Sequence, residues 1–263
     1  MQRITATFTP VDRPLSGHWI TPKGLHGLVY NVAQDADVNE ATWLHSHAAP
    51  KPFALIPNYH GDQLHSLAIN VFTDRAADLL LPAWQRKVDK RTTLKLGRLP
   101  LRVAGVASRP LWPVAAWPEL APIERLRVDF LSPTAYRNGP GNLYFPLPGN
   151  LFTLAERVWR TYGDGRFVVP EDWGSWAQQA IFAETHELRT VTLEMGRNER
   201  YTGFVGHAFY KVYRNKRASA WSYQQPEVDY LKALNLLAHV ATITGSGKAS
   251  SMGMGAIQIS EIA

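Results

Sequence analysis

Apolar and polar residues alternate with period two along Ile4-Thr5-Ala6-Thr7-Phe8-Thr9, the pattern of a half-buried strand. Thr21-Pro22 then offers an N-cap followed by proline at the first helical position. Leu25, Leu28, Val29 and Val32 follow at i, i+3, i+4 and i+7, one face of an amphipathic helix. A short helical turn over Asn39–His45 extends this region until Pro50 and Pro52 stop it. Phe53–Pro57 and Leu67–Phe72 read as paired strands. Arg75–Lys87 reads as a helix burying Ala77, Leu80, Leu81 and Trp84, and Thr93–Arg98 and Leu99–Ala107 as two further strands.

The second half repeats the order. Arg125–Leu131 is a predicted strand, and Leu151–Tyr162 a helix turning Leu154, Ala155, Val158 and Trp159 inward. His186–Met195 and Thr202–Tyr213 are strands, Val228–Ile243 a helix and Ala256–Ile262 a closing strand. Each half is therefore β-α-β-β-α-β, the ferredoxin-like order. The expected fold is α+β, with two tandem ferredoxin-like domains at residues 1–112 and 123–263, joined by the proline-rich interval Pro110–Pro122. Trp112, Trp117, Trp173 and Trp176 fall in predicted loops, as core plugs or as parts of an interface.

Composition narrows the function. A net charge of +6 fits a polyanionic partner, without separating nucleic acid from an acidic protein or a membrane surface. The absence of cysteine excludes disulfides, thiolate metal sites and thiol nucleophiles. No stretch approaches the length of an apolar membrane span, and the N-terminus lacks a basic-then-apolar signal, so a soluble cytoplasmic protein is expected.

Three local signals carry chemistry. Gly245-Ser-Gly247-Lys-Ala-Ser-Ser-Met-Gly253-Met-Gly255, with Lys248 inside it, offers backbone N–H groups to a phosphate or forms a turn of small residues. It is not a Walker A loop, because Thr242 stands where that motif needs glycine and the order is helix to strand. Tyr30, Trp43-Leu44-His45-Ser46-His47 and Lys51 form the second signal. A histidine, a tyrosine and a lysine brought together suit metal-independent RNA cleavage: one group deprotonates the 2′-hydroxyl, another protonates the leaving 5′-oxygen, and a cation stabilises charge on phosphorus. A metal site at His45 and His47, with His60 or His65, lacks nearby carboxylates and a standard ligand spacing. The third signal is the acid-free run Lys211-Val-Tyr-Arg214-Asn-Lys216-Arg217, with Tyr210, Tyr213, Trp221 and Tyr223 as stacking surfaces beside its cations.

In order along the chain, several segments resemble the CRISPR precursor-RNA processing endoribonucleases of the RAMP superfamily. They are Leu25-His-Gly-Leu-Val-Tyr30, Leu44-His45 through Lys51-Pro-Phe53, Phe130-Leu-Ser-Pro133-Thr134-Ala-Tyr136-Arg137, Gly203-Phe-Val-Gly206 and the terminal glycine loop. The resemblance spans nearly the whole chain. It implies two ferredoxin-like domains that bind a CRISPR repeat RNA and cut it without metal or cofactor, leaving a 2′,3′-cyclic phosphate or its hydrolysed form and a 5′-hydroxyl. It places the catalytic histidine on His45, with His47 the competitor, the helical tyrosine on Tyr30 and the lysine on Lys51. It puts RNA contacts on Gly245, Gly247, Lys248, Gly253 and Gly255, to which the basic run and Arg137 add. A CRISPR effector complex and a second copy of the chain are the protein partners it admits. Two other readings stand beside it: a non-catalytic RNA-binding subunit of a CRISPR ribonucleoprotein, and an unrelated ferredoxin-like RNA binder, whose aromatic sheet-face motif is not evident.

Overall fold

The alternating N-terminal segment is strand β1 (Gln2–Pro10), with Ile4, Ala6 and Phe8 on its buried face. The computed structural model describes residues 1–111, 120–196, 199–213 and 226–261. In it β1 runs antiparallel to both β3 (Gln63–Val71) and β5 (Leu99–Pro110). With β2 (Phe53–His60) and β4 (Thr93–Leu96) these strands form a sheet in the order β2-β3-β1-β5-β4. The order β2-β3-β1-β5 is that of a ferredoxin-like sheet, and β4 is an edge strand added by the β4–β5 hairpin.

Helix α1 (Pro22–Gln34) starts as its sequence dictates: the Thr21 hydroxyl accepts from the Gly24 N–H at 3.1 Å, and Leu25, Leu28, Val29 and Val32 are buried. The short turn expected next is a full helix, α2 (Val38–Ser46), because Asp37 caps it by accepting from the N–H groups of Asn39 and Glu40. In α3 (Asp74–Asp89) Leu80 and Trp84 are fully buried, but Leu81 is only partly so; Ala76, Leu79 and Ala83 complete the inward face instead.

The second half builds a sheet in the order β11-β6-β10-β9, from β6 (Arg125–Thr134), β9 (Ile181–Gly196), β10 (Glu199–Val212) and β11 (Ile257–Glu261). Between β6 and β9 lie the hairpin β7 (Tyr136–Asn138) and β8 (Gly141–Leu143), then α4 (Pro148–Leu151), α5 (Thr153–Tyr162) and α6 (Trp173–Ala180); α7 (Glu227–Thr244) precedes β11. The loop expected at Trp173 and Trp176 is therefore a helix. Trp173, Trp176 and Ala177 form its buried i, i+3, i+4 stripe, and the Trp173 indole donates to the Tyr230 carbonyl at 3.2 Å. Two turns are too short for that period to stand out from the sequence. On α5, Leu154 is only partly buried, leaving Ala155, Val158 and Trp159 as the inward residues. Trp112 and Trp117 lie outside the described residues.

The chain divides into two compact units that are not continuous in sequence. One comprises Met1–Trp112, Thr192–Tyr201 and Ala249–Met254, the other Pro113–Val191, Thr202–Lys248 and Gly255–Ala263.

Within the first unit, the end of α1 is tied to α3 by a buried cation. The Lys87 ammonium, with a side chain only 11% exposed, donates to Asp35 at 2.7 Å. Removing the acid leaves that ammonium buried without its carboxylate, whereas replacing the lysine by an apolar isostere removes the desolvation cost as well. Asp35→Ala should therefore lower unfolding free energy in urea by about 1–3 kcal/mol, and Lys87→Met by less. The reverse ranking would show that this ion pair does not hold α1.

Candidate active site

His26 and Tyr30 stand four residues apart on α1, so they share one side of that helix. The Tyr30 ring meets His26 edge-on at 4.5 Å between centroids, and His45, in the last turn of α2, at 4.9 Å. Phe53, at the start of β2, backs the cluster at 6.2 Å from His26 and 5.9 Å from Tyr30. The Tyr30 hydroxyl donates to the Leu44 carbonyl at 3.1 Å, and burial pushes its pKa up to about 12. Tyr30 thus stays protonated through the neutral range, as a donor rather than a base.

Lys51 reaches back to the end of α2. Its ammonium donates to the carbonyls of His45 and His47, the latter at 2.8 Å, and burial lowers its pKa. His47 faces elsewhere: its ring packs on Trp43 at 5.4 Å, and the Arg75 guanidinium lies over that same indole at 4.1 Å. Only His45 of the two adjoins Tyr30. His60 and His65 stack on each other at 4.5 Å, and no group of three metal-ligating side chains occurs among the described residues.

The residue that sequence reading missed is His26. Its Nδ1 lies 2.7 Å from the Ser251 carbonyl. A carbonyl only accepts, so Nδ1 carries the hydrogen and Nε2 keeps its lone pair. Burial is the main cause of a lowered His26 pKa; the charges of His45 and Lys51 lower it further, and the Ser251 hydrogen bond opposes them. The spacing of His26 to Tyr30 was visible in Leu25-His-Gly-Leu-Val-Tyr30, but its anchor is distant in sequence.

Each of the four loop glycines has a positive φ. A Cβ on Gly255 would lie 1.9 Å from the Ser246 carbonyl oxygen, and one on Gly247 2.5 Å from that of Ala135. Backbone packed on backbone is thus what demands glycine here. The N–H groups of Ser246, Lys248 and Gly255 already donate to the carbonyls of Gly255, Ala135 and Pro133, so few remain to offer a phosphate. Side-chain cations are better placed. Lys248 donates to Asn142 Oδ1 at 2.8 Å, and Asn142 is the cross-strand neighbour of exposed Arg137 in the β7–β8 hairpin.

On β10, Lys211 lies 4.0 Å from Glu184 of β9 and 5.1 Å from the Tyr213 ring centre. The strand pairing thus supplies the acid that the local sequence lacked. Tyr210 is buried with its hydroxyl on the Pro146 carbonyl, so it is core and not a stacking surface, whereas Tyr213 is exposed. Arg214, Lys216, Arg217, Trp221 and Tyr223 lie outside the described residues.

Against known proteins, a family model described as CRISPR-associated endoribonuclease Cas6 matches residues 128–257. Among solved structures, a Cas6 product complex aligns at 20% identity over 99% of both chains, with a TM-score of 0.79. Thermus thermophilus Cas6 aligns at 20% identity over 98% of both chains, with a TM-score of 0.67. A RAMP protein binding different RNA substrates aligns at 14% identity, over 99% of this chain and all of that one, with a TM-score of 0.60. At these identities the likeness is one of fold. No curated protein matches the chain.

Two outcomes follow from this geometry. Gly255→Ala should destabilise the protein by about 2–4 kcal/mol in urea unfolding, the upper range for backbone conflict; a loss below about 0.5 kcal/mol would mean the loop opens freely. In an NMR pH titration, the His26 ring should show a midpoint below the ordinary value of 6.5, moving upward in Lys51→Met. Because the folded pKa is the lower one, His26 contributes stability that is present above pH 6.5 and lost as the pH falls below it. A His26 midpoint above 6.5 would contradict the half-buried, neutral imidazole.

Proposed function

We propose that this chain, a RAMP protein of the Cas6 type, binds the repeat of a CRISPR precursor transcript and cuts it into guide RNAs without a metal ion. The observation that carries the reading is the cluster of His26, Tyr30, His45 and Lys51, joined by ring contacts and by hydrogen bonds to the end of α2. It holds two imidazoles, a hydroxyl donor and an ammonium, which are the groups an internal phosphoryl transfer needs.

In that reaction the substrate's own 2′-oxygen attacks phosphorus and the bond to the 5′-oxygen breaks. The products are a 2′,3′-cyclic phosphate, or its hydrolysed form, and a 5′-hydroxyl. Neutral His26, with a lone pair on Nε2, is suited to accept the 2′-proton, and His45 to deliver a proton to the departing 5′-oxygen. Lys51 contributes positive charge and orients His45 through its backbone; Tyr30 fixes the spacing of the two rings. The domain of residues 1–112 then carries the chemistry, and that of 123–263 the RNA grip. Arg137, Lys248, Lys211, Arg214, Lys216 and Arg217 are its backbone-binding cations, and Gly245, Gly247, Gly253 and Gly255 shape the loop that presents Lys248. The processed guide would pass to a CRISPR effector complex in the cytoplasm.

A labelled cognate repeat, incubated with the protein in excess chelator, tests the reading. Intact RNA should be cut, and RNA with one 2′-deoxy nucleotide just upstream of the cut should bind but resist cleavage. His45→Ala should slow single-turnover cleavage by about 10²–10⁴-fold, the usual worth of general acid–base catalysis, with affinity nearly unchanged and His47→Ala mild. Cutting of the deoxy substrate at the same bond, or an absolute need for divalent metal, would overturn the mechanism.

A further inference from the structure

The faces of α1 and α2 that meet at Tyr30 and His45 continue beyond the cluster as a groove. Tyr30 and Gln34 are successive turns of α1; Val38, Ala41, Thr42 and His45 recur at i, i+3, i+4 and i+7 on α2. Together they line a cleft of about 270 Å³ that opens directly beside the His45 ring. This is close to the lower bound of small-molecule sites, about 300 Å³, which suits one planar heterocycle.

The chemistry of its walls is as informative as its size. Among the described residues, no lysine, arginine, aspartate or glutamate lines the groove. Ala41 is buried, Val38 is 59% exposed, and the Tyr30 ring forms a further apolar wall. Besides His45, three side chains bring polar groups to the groove: Gln34, Thr42 and Ser46, whose hydroxyl donates to the Thr42 carbonyl at 2.8 Å. Gln34 brings an exposed side-chain amide, which both donates and accepts. Thr42 donates its hydroxyl proton to the Val38 carbonyl at 2.7 Å, so its oxygen is left to accept. Apart from the His45 imidazole, a groove with aromatic and aliphatic walls and a few amide and hydroxyl groups offers a phosphate no cation. It matches a nucleobase, which needs a ring surface to lie against and hydrogen bonds along one edge.

We propose that this groove seats the base of one of the two nucleotides flanking the scissile phosphate, and so fixes that phosphate beside His45. The inference rests on the ribonuclease reading and deepens it: the same helix pair that carries the proton-transfer groups would also set the register of the cut. Specificity at that nucleotide would come from Gln34 and Thr42 reading the base edge, while Tyr30 and Val38 supply sequence-tolerant contact.

The test crosses two RNA modifications with two protein variants. Repeat RNA is made abasic at the nucleotide on one side of the cut or on the other, and cleavage is followed under single-turnover conditions with wild type, Val38→Trp and Gln34→Ala. Val38 and Gln34 are both exposed, and unchanged melting temperatures establish that the variants are folded. One of the abasic RNAs should be cut about 10- to 100-fold more slowly by wild type, the range found for loss of a base–aromatic contact. Val38→Trp, which fills the groove, should slow cutting of intact RNA similarly and slow that abasic RNA no further. Gln34→Ala should alter the preference among bases at that nucleotide. The inference is overturned if wild type cuts both abasic RNAs as fast as the intact repeat, or if the Val38→Trp and abasic penalties multiply. A wild type that leaves the intact repeat uncut removes the ribonuclease reading itself, and this inference with it.

Discussion

A helix leaves its last carbonyl groups without partners inside the helix, and the end of α2 meets this demand with the side chains of the candidate site. Tyr30 takes the carbonyl of Leu44, and Lys51 those of His45 and His47. The cation also sits at the negative end of the helix dipole, where positive charge is favoured. Capping and site construction are thus one arrangement: the groups that satisfy α2 also fix where the His45 ring lies. A second lock acts on the outer side of α2, where Arg75 covers Trp43 and makes paired hydrogen bonds to Glu40 at 2.8 and 2.9 Å. Between the two, α2 has little freedom to turn His45 away from Tyr30.

The glycine loop obeys a steric constraint of the same strictness. At Gly245, Gly247 and Gly255 the nearest atoms to an added Cβ are carbonyl oxygens of neighbouring backbone. A residue with a side chain would have to displace main chain, not a flexible neighbour. That explains why the loop is rich in glycine without appeal to ligand binding. The segment following Lys248 has its own structural task, since the Ser251 carbonyl fixes the tautomer of His26.

Much of the fold was legible because its signals are local. Thr21-Pro22 and the Leu25, Leu28, Val29, Val32 stripe lead to a capped, one-sided helix in the structure, and the period-two run at Ile4 to a central strand. Features that depend on distant partners were not legible. The helix at Trp173 is stabilised by Tyr230, and Lys211 acquires its acid from β9. Tyr210 reads as a surface ring beside cations, yet its hydroxyl finds a buried carbonyl. The candidate site divides in the same way. Tyr30, His45 and Lys51 were recognisable as types within a short span, and the structure brings their side chains or backbone together. His26 lay within the same span, but on an otherwise apolar stretch a lone histidine reads as packing. Its chemical character comes from an acceptor contributed near the other end of the chain.

That difference in origin separates the two imidazoles chemically. His26 is half-buried between Tyr30 and Phe53, with two neighbouring groups, His45 and Lys51, whose positive charges oppose its protonation. His45 is exposed on the last turn of α2. Burial is the first cause that keeps His26 neutral, and the charges of His45 and Lys51 add to it. The proposed proton transfer in two directions makes use of an asymmetry of environment, one ring half-buried and one exposed. Here it arises from placing one histidine in the middle of a helix that packs on a sheet and the other at the open end of its neighbour. The tyrosine between them, held protonated by its own burial, touches both rings.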